Sequence, residues 1–269
     1  MPSAPPGWPP DIAIAKGSTA GNGERICFVL PDVVDGPYYE DRAIMRSDIT
    51  EGRPGIPLEV RVRIVDPSCR PIRNARVDCW QADAGGIYSN YPYQGDDLKI
   101  ATIGETFLRG TQVSDEDGMV VFRTIYPGWY RARTAHIHFK VYIGERTRLT
   151  TQMFFPDALN EFIYLNVPGY KREAVRDTVN MTDWILTEAS HHAMANVREE
   201  IDRYIAEMTF GVDPRAMPPV SEKMSCPAEG KCAPAPNTPP AEAKRVELLV
   251  PSPANSRLPR AQKPRLRAP

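Results

Sequence analysis

"LEVRVRIV", residues 58–65, sets Leu58, Val60, Val62 and Ile64 at every second position, with Glu59, Arg61 and Arg63 between them. A period of two belongs to a strand with one face buried and the other wet. Outward from it lie ARVDCWQA (75–82), GMVVFRTI (118–125), AHIHFKVYI (135–143) and TTQMFFP (150–156), all short, β-branched or aromatic. DPSCRP, DEDG, YPG and IGER separate them, and each carries the Pro, Gly or Asp that turns require. Short strands so punctuated predict an all-β fold, an antiparallel β-sandwich with short helical and loop excursions. Residues 188–208 fit an amphipathic helix or a hairpin turning near 199–202; the hairpin is the reading adopted.

Composition bounds the rest. The chain has 269 residues, 42% hydrophobic and 25% charged, which suits a folded domain with one sizeable core. Its net charge of -1 gives no reason to expect nucleic acid or an acidic membrane as partner. No apolar run reaches the length of a membrane span, and the Pro-rich start lacks a secretory layout, so a cytoplasmic protein is expected. Thirteen of the 28 prolines lie from Pro214 onward. The expected division is a flexible segment 1–25, one domain 26–213, and a Pro-rich basic disordered tail 214–269. Cys27, Cys69, Cys79, Cys226 and Cys232 are irregularly spaced and read as ordinary thiols.

Only four histidines occur, and two of them, His136 and His138, stand one residue apart in a predicted strand. Alternation puts both imidazoles on one face, about 6–7 Å apart along the strand, a spacing that suits two ligands of one metal. His-X-His alone is not specific, since zinc hydrolases, carbonic anhydrases and cupins share it. Two tyrosines sharpen the choice: Tyr130 ends a YPGW turn six residues upstream, and Tyr88 follows the Gly85-Gly86 pair. A phenol ionises near pH 10, so it ligates at neutral pH only beside a highly charged cation. That chemistry favours ferric iron over zinc.

With these residues the chain resembles the intradiol ring-cleavage dioxygenases. The resemblance runs from DGPYYEDRAIMRSDI through GIPLEVRVRIVD, VDCWQADAGGIYS, TFLRGTQVSDEDGMVVFRTIYPGWY, RTAHIHFKV and TQMFFPD to RDTVNMTD, about two thirds of the chain. It implies a non-haem Fe(III) enzyme that opens a catechol between its hydroxyl-bearing carbons with O2, giving a muconate-type diacid. It further implies four iron ligands, Tyr130 and His138 axial, Tyr88 and His136 equatorial. Arg133 is implied as the cation beside bound substrate, Tyr130 as a base, and Gln152 as the flank of the substrate and oxygen pocket. No long heptad precedes Pro57 and the Tyr130-to-His136 gap is short, so the compact members are the better match. A homodimer is expected.

Two other readings remain open on the residues: a zinc hydrolase or carbonic-anhydrase-like enzyme, and a metal-free transthyretin-like sandwich. Further expectations concern the pocket wall, assigned to Asp32 to Gly36, Tyr38 and Tyr39, and His191 and His192, read as surface residues. The polar residues of RDTVNMTD are expected to cap a loop.

Overall fold

A computed structural model describes residues 27–216. Eight strands form two four-stranded sheets. In chain order these are β1 (Pro57–Val65), β2 (Arg76–Trp80), β3 (Arg109–Val113), β4 (Met119–Ile125), β5 (His136–Ile143), β6 (Arg146–Phe154), β7 (Asn196–Glu199) and β8 (Tyr204–Gly211). Helices α1 (Asp157–Asn166) and α2 (Trp184–Ala189) fall between β6 and β7. One sheet has the order β4-β1-β8-β7, the other β3-β2-β5-β6.

The alternation in LEVRVRIV is a real half-buried strand. Leu58, Val60, Val62 and Ile64 are buried, and the intervening charges stay partly exposed. They face Val77, Cys79, Ile137, Phe139 and Val141 of the other sheet in one apolar core. Each such aliphatic side chain contributes about 1.5–3 kcal/mol by leaving water. Every strand pairing is antiparallel except β1 with β8, which is parallel from Leu58–Tyr204 to Val65–Gly211. The expected hairpin is present: β7 and β8 pair antiparallel across a turn where Glu200 N–H donates to Arg203 O at 2.8 Å. Glu188 and Ala189 belong instead to α2, whose six residues are too few for a periodic signal.

Strand β3 and helix α1 stand outside the expected elements. RGTQV offers no apolar alternation, and a Cβ at Gly110 would collide with Ile49, so this strand exists to let the segment 46–49 cross it closely. Helix α1 uses buried Asn160 as a polar anchor: it accepts from Tyr126 OH at 2.7 Å and donates to Phe155 O at 3.1 Å.

The thiol expectation is corrected for two cysteines. Cys27 and Cys69 form a disulfide, which ties the segment leading into the sandwich to the β1–β2 turn; Cys79 remains a buried free thiol. Their sequence separation of 42 hid the pairing, because only the fold brings them together. Closing a loop of that length stabilises by about 4 kcal/mol on the chain-entropy account. Disulfides persist in oxidising compartments, which leaves the cytoplasmic address unsupported. Among the described residues no helix is long and apolar enough to cross a membrane. The expected segment 1–25, and the expected tail 214–269 from residue 217 on, with Cys226 and Cys232, lie outside the described residues.

Candidate metal centre

Strand β5 carries the site on the face turned away from the core. Ile137, Phe139 and Val141 point inward, while His136, His138 and Lys140 point outward and are buried all the same, because the segment 32–39 and the loop 81–108 cover them. His138 stands directly across from Trp80 on β2 and Gln152 on β6, and its ring stacks on Trp80 with centroids 4.7 Å apart.

The two tyrosines arrive on interlocked loops. After β2, Asp83 accepts from the N–H groups of Gly85 and Ile87 at 2.9 and 3.0 Å, closing a turn that passes through Gly86 at φ +79°. Tyr88 follows, its N–H donating to Gln94 Oε1 and its carbonyl accepting from Thr102 Oγ1. After β4, Gly128 N–H donates to Asp83 O at 2.9 Å. A Cβ at Gly86 would strike Trp129 O, and one at Gly128 would strike the carbonyls of Asp83 and Ala84. Arg172 clamps the pair, donating to Gly85 O at 2.7 Å and Trp129 O at 2.6 Å. Tyr88 and Tyr130 are thereby delivered to one point.

At that point four donor atoms converge. His136 Nε2 lies 3.0 Å from His138 Nε2, 3.2 Å from Tyr130 OH and 3.4 Å from Tyr88 OH; His138 Nε2 lies 3.1 Å from Tyr88 OH. Ligands about 2.1 Å from one ion, at right angles, stand about 3 Å apart. The tautomer of His136 agrees: its Nδ1–H donates to Thr134 O at 2.7 Å, which leaves the Nε2 lone pair aimed at the shared point. Burial pushes both imidazoles well below their usual pKa, so both are neutral ligands. Burial likewise raises Tyr88 well above 10 and Tyr130 above 10, against the opposing pull of the Arg133 charge. Two buried phenols therefore become phenolates only beside a strong positive charge. The donor set fits a hard trivalent cation, and two phenols make it a poor fit to zinc. Among the described residues no group of three or more His, Cys, Asp or Glu is arranged to hold a metal. The zinc-hydrolase reading thus gains no ligand set among the described residues, and the converging lone pairs do not favour a metal-free sandwich.

The surrounding wall is aromatic. Tyr38, Trp80, Ala82 and Tyr88 form a second apolar cluster apart from the main core, with Tyr39, Tyr91 and Tyr130 against it. Tyr38 stacks on Tyr88 at 4.2 Å. Gly36 approaches His138 so closely that a Cβ there would stand 3.5 Å from Cε1. The expected wall positions Gly36, Tyr38 and Tyr39 thus lie at the site. Asp35 instead forms a buried ion pair with Lys140 at 2.6 Å, and Asp32 accepts from Thr150 N–H at 2.9 Å.

Arg133 is buried, donating through Nη2 to Gln152 Oε1 at 2.5 Å and through Nη1 to Tyr130 OH at 3.5 Å. Gln152 Nε2 is buried with no hydrogen-bond partner, as is His138 Nδ1. An orphaned buried donor costs about 1–3 kcal/mol, so the Gln152 amide is a group waiting for an acceptor. The sequence reading missed Arg172, Asp177 and Asp183. Asp177 Oδ1 accepts from Ala132 N–H at 3.0 Å and shapes the turn between Tyr130 and Arg133. Asp183 caps helix α2, where RDTVNMTD was expected to cap a loop, and also pairs with Arg133. Two of the three lie within the resemblance already quoted; the signal was present without a geometry to interpret it. His191 and His192 are exposed in a short 3-10 turn away from the site, His192 stacked on Phe28.

Comparison with known proteins places the chain among relatives. A family model described as "Dioxygenase" matches residues 34–169. The protocatechuate 3,4-dioxygenase beta chain of Burkholderia cepacia is 34% identical over 59% of this chain and 72% of its own. The catechol 1,2-dioxygenase 1 of Acinetobacter lwoffii is 28% identical over 49% of this chain, which spans about half of that relative's length, 48%. Among solved structures, an intradiol ring-cleavage dioxygenase from Tetranychus urticae superposes with a TM-score of 0.65 at 32% identity, over 71% of this chain and 97% of its own. The dioxygenase domain of a carbohydrate-binding fusion protein from Streptomyces sp. SirexAA-E follows, with a TM-score of 0.52 at 29% identity, over 69% and 99%.

Proposed function

The chain belongs to the intradiol ring-cleavage dioxygenase family, and we propose that it opens a catechol-type ring between its two hydroxyl-bearing carbons, with O2, at the Tyr88, Tyr130, His136, His138 centre. The observation that carries this reading is the meeting of two phenol oxygens and two imidazole nitrogens within 3.0–3.4 Å of one another. These four side chains would hold ferric iron, which when bound supplies the Lewis acidity that ionises a catechol and draws electron density from its ring.

The protein's own groups then have separate tasks. A catechol must lose two protons to chelate. Tyr130 is the least buried of the four ligands and lies on a loop rather than a strand. Its phenolate is therefore the one placed to leave the centre and accept a proton. Arg133 is the charge beside that oxygen, and as negative charge grows on the ring its guanidinium stabilises it in a site where water is excluded. Gln152 presents its unpartnered amide N–H as a donor to substrate or oxygen. Tyr38, Tyr91 and Trp80 keep the site apolar, which strengthens both interactions.

Oxygen uptake and product analysis on catechol, protocatechuate and hydroxyquinol test this reading. One O2 consumed per ring, with both atoms recovered in a cis,cis-muconate-type diacid, is the expected result. Cleavage outside the diol, giving a semialdehyde, or no uptake on any of the three, contradicts it.

A further inference from the structure

Asp183 makes four hydrogen bonds, two with each oxygen. Oδ1 accepts from Ile185 N–H at 3.0 Å and Leu186 N–H at 3.3 Å, capping α2. Oδ2 accepts from Arg133 Nε at 2.9 Å and Thr134 N–H at 2.9 Å. The residue has no exposed surface at all. A carboxylate is an acceptor at both oxygens, and a guanidinium carries donors alone. With Nε committed to Asp183, the fork of Arg133 has one remaining orientation, and its Nη2 meets Gln152 Oε1 at 2.5 Å while Nη1 faces Tyr130 OH at 3.5 Å. Gln152 must then turn its oxygen toward the arginine, which leaves its buried Nε2 as a donor without a partner.

We propose that Asp183 is a positioning residue for the ring-cleaving reaction: through Arg133 it orients the guanidinium and the Gln152 amide together toward the site of Tyr130 and His138. The inference rests on the function proposed above. It assigns the end of α2 a role in turnover, through a chain Asp183, Arg133, Gln152 whose hydrogen-bond polarity is set from its buried carboxylate end.

Asp183→Asn separates the two jobs of this side chain. Asparagine caps a helix as well as aspartate does, yet its single carbonyl oxygen cannot serve both α2 and Arg133, and its NH2 opposes a donor on the other side. In iron-loaded enzyme, Asp183→Asn is expected to lower kcat on catechol by about 10- to 100-fold, with a smaller change in KM. Iron content should stay near that of the wild type, while the thermal midpoint falls, because the buried guanidinium loses its carboxylate. Arg133→Ala should produce a similar loss, and the double variant should be no slower than Arg133→Ala within about twofold, because Asp183 acts through Arg133. Should Asp183→Asn fail to fold, Asp183→Ser takes its place, a good cap that lacks the second oxygen. A folded, iron-loaded variant with kcat within twofold of wild type overturns the proposal, as do losses that multiply in the double variant. A wild type that cleaves no catechol overturns the proposed function itself, and this inference with it.

Discussion

At the scale of single residues, the site is legible where chemistry demands a residue type and opaque where it demands a position. His136 and His138 could be singled out because the chain has only four histidines, and Tyr88 and Tyr130 because a turn brings each near them; a strand's alternation places the two histidines together without any tertiary knowledge. Asp183 and Arg172 could not, since an aspartate before a helix and an arginine in a loop have ordinary explanations. Only the distances to Arg133, Gly85 and Trp129 change that reading. Gln152 lies between these cases: its unpartnered amide nitrogen distinguishes it from a strand glutamine. Gln152→Leu keeps the volume and removes both the acceptor for Arg133 and the free donor. Turnover is expected to fall about 100-fold, the scale of losing one donor aimed at developing charge, with iron content unchanged. Stopped-flow or steady-state kinetics with metal analysis checks this, and unchanged turnover would return Gln152 to packing.

At the scale of elements, strands declared themselves and the loops that deliver the tyrosines did not. LEVRVRIV became β1 because alternation is a local property, readable without neighbours. Strand β3 went unread because its glycine serves a crossing chain rather than a periodic face. The same cause hid the mechanism that joins Tyr88 to Tyr130: Gly86 and Gly128 are needed only because two backbones touch there. Gly128→Ala inserts a methyl against the carbonyls of Asp83 and Ala84, where flanking hydrogen bonds leave no room to yield. A destabilisation of about 1–3 kcal/mol is expected from overpacking. Bound iron should fall together with the urea midpoint as the two tyrosine loops separate. Iron content at wild-type level in the folded variant would show that the loops are held together by something other than this contact.

At the scale of the molecule, one sheet face packs the core and the opposite face of the second sheet holds the candidate metal centre. The segment 32–39 and the loop 81–108 turn that outer face into an interior. The disulfide from Cys27 to Cys69 anchors the start of the covering segment, and the Asp35–Lys140 pair and Tyr38 carry the cover on to Tyr88. Two-layer architecture followed from strand patterning, whereas the cover depends on contacts distant in sequence, and nothing local announces those. The account stands on the four donors acting together on one trivalent ion. The visible absorption spectrum of purified, ferric-loaded protein tests it most directly. A broad tyrosinate-to-iron charge-transfer band is expected in the wild type, diminished when either Tyr88 or Tyr130 is replaced by Phe and absent when both are. An iron-loaded protein without colour, or a band that survives loss of both phenols, would contradict it.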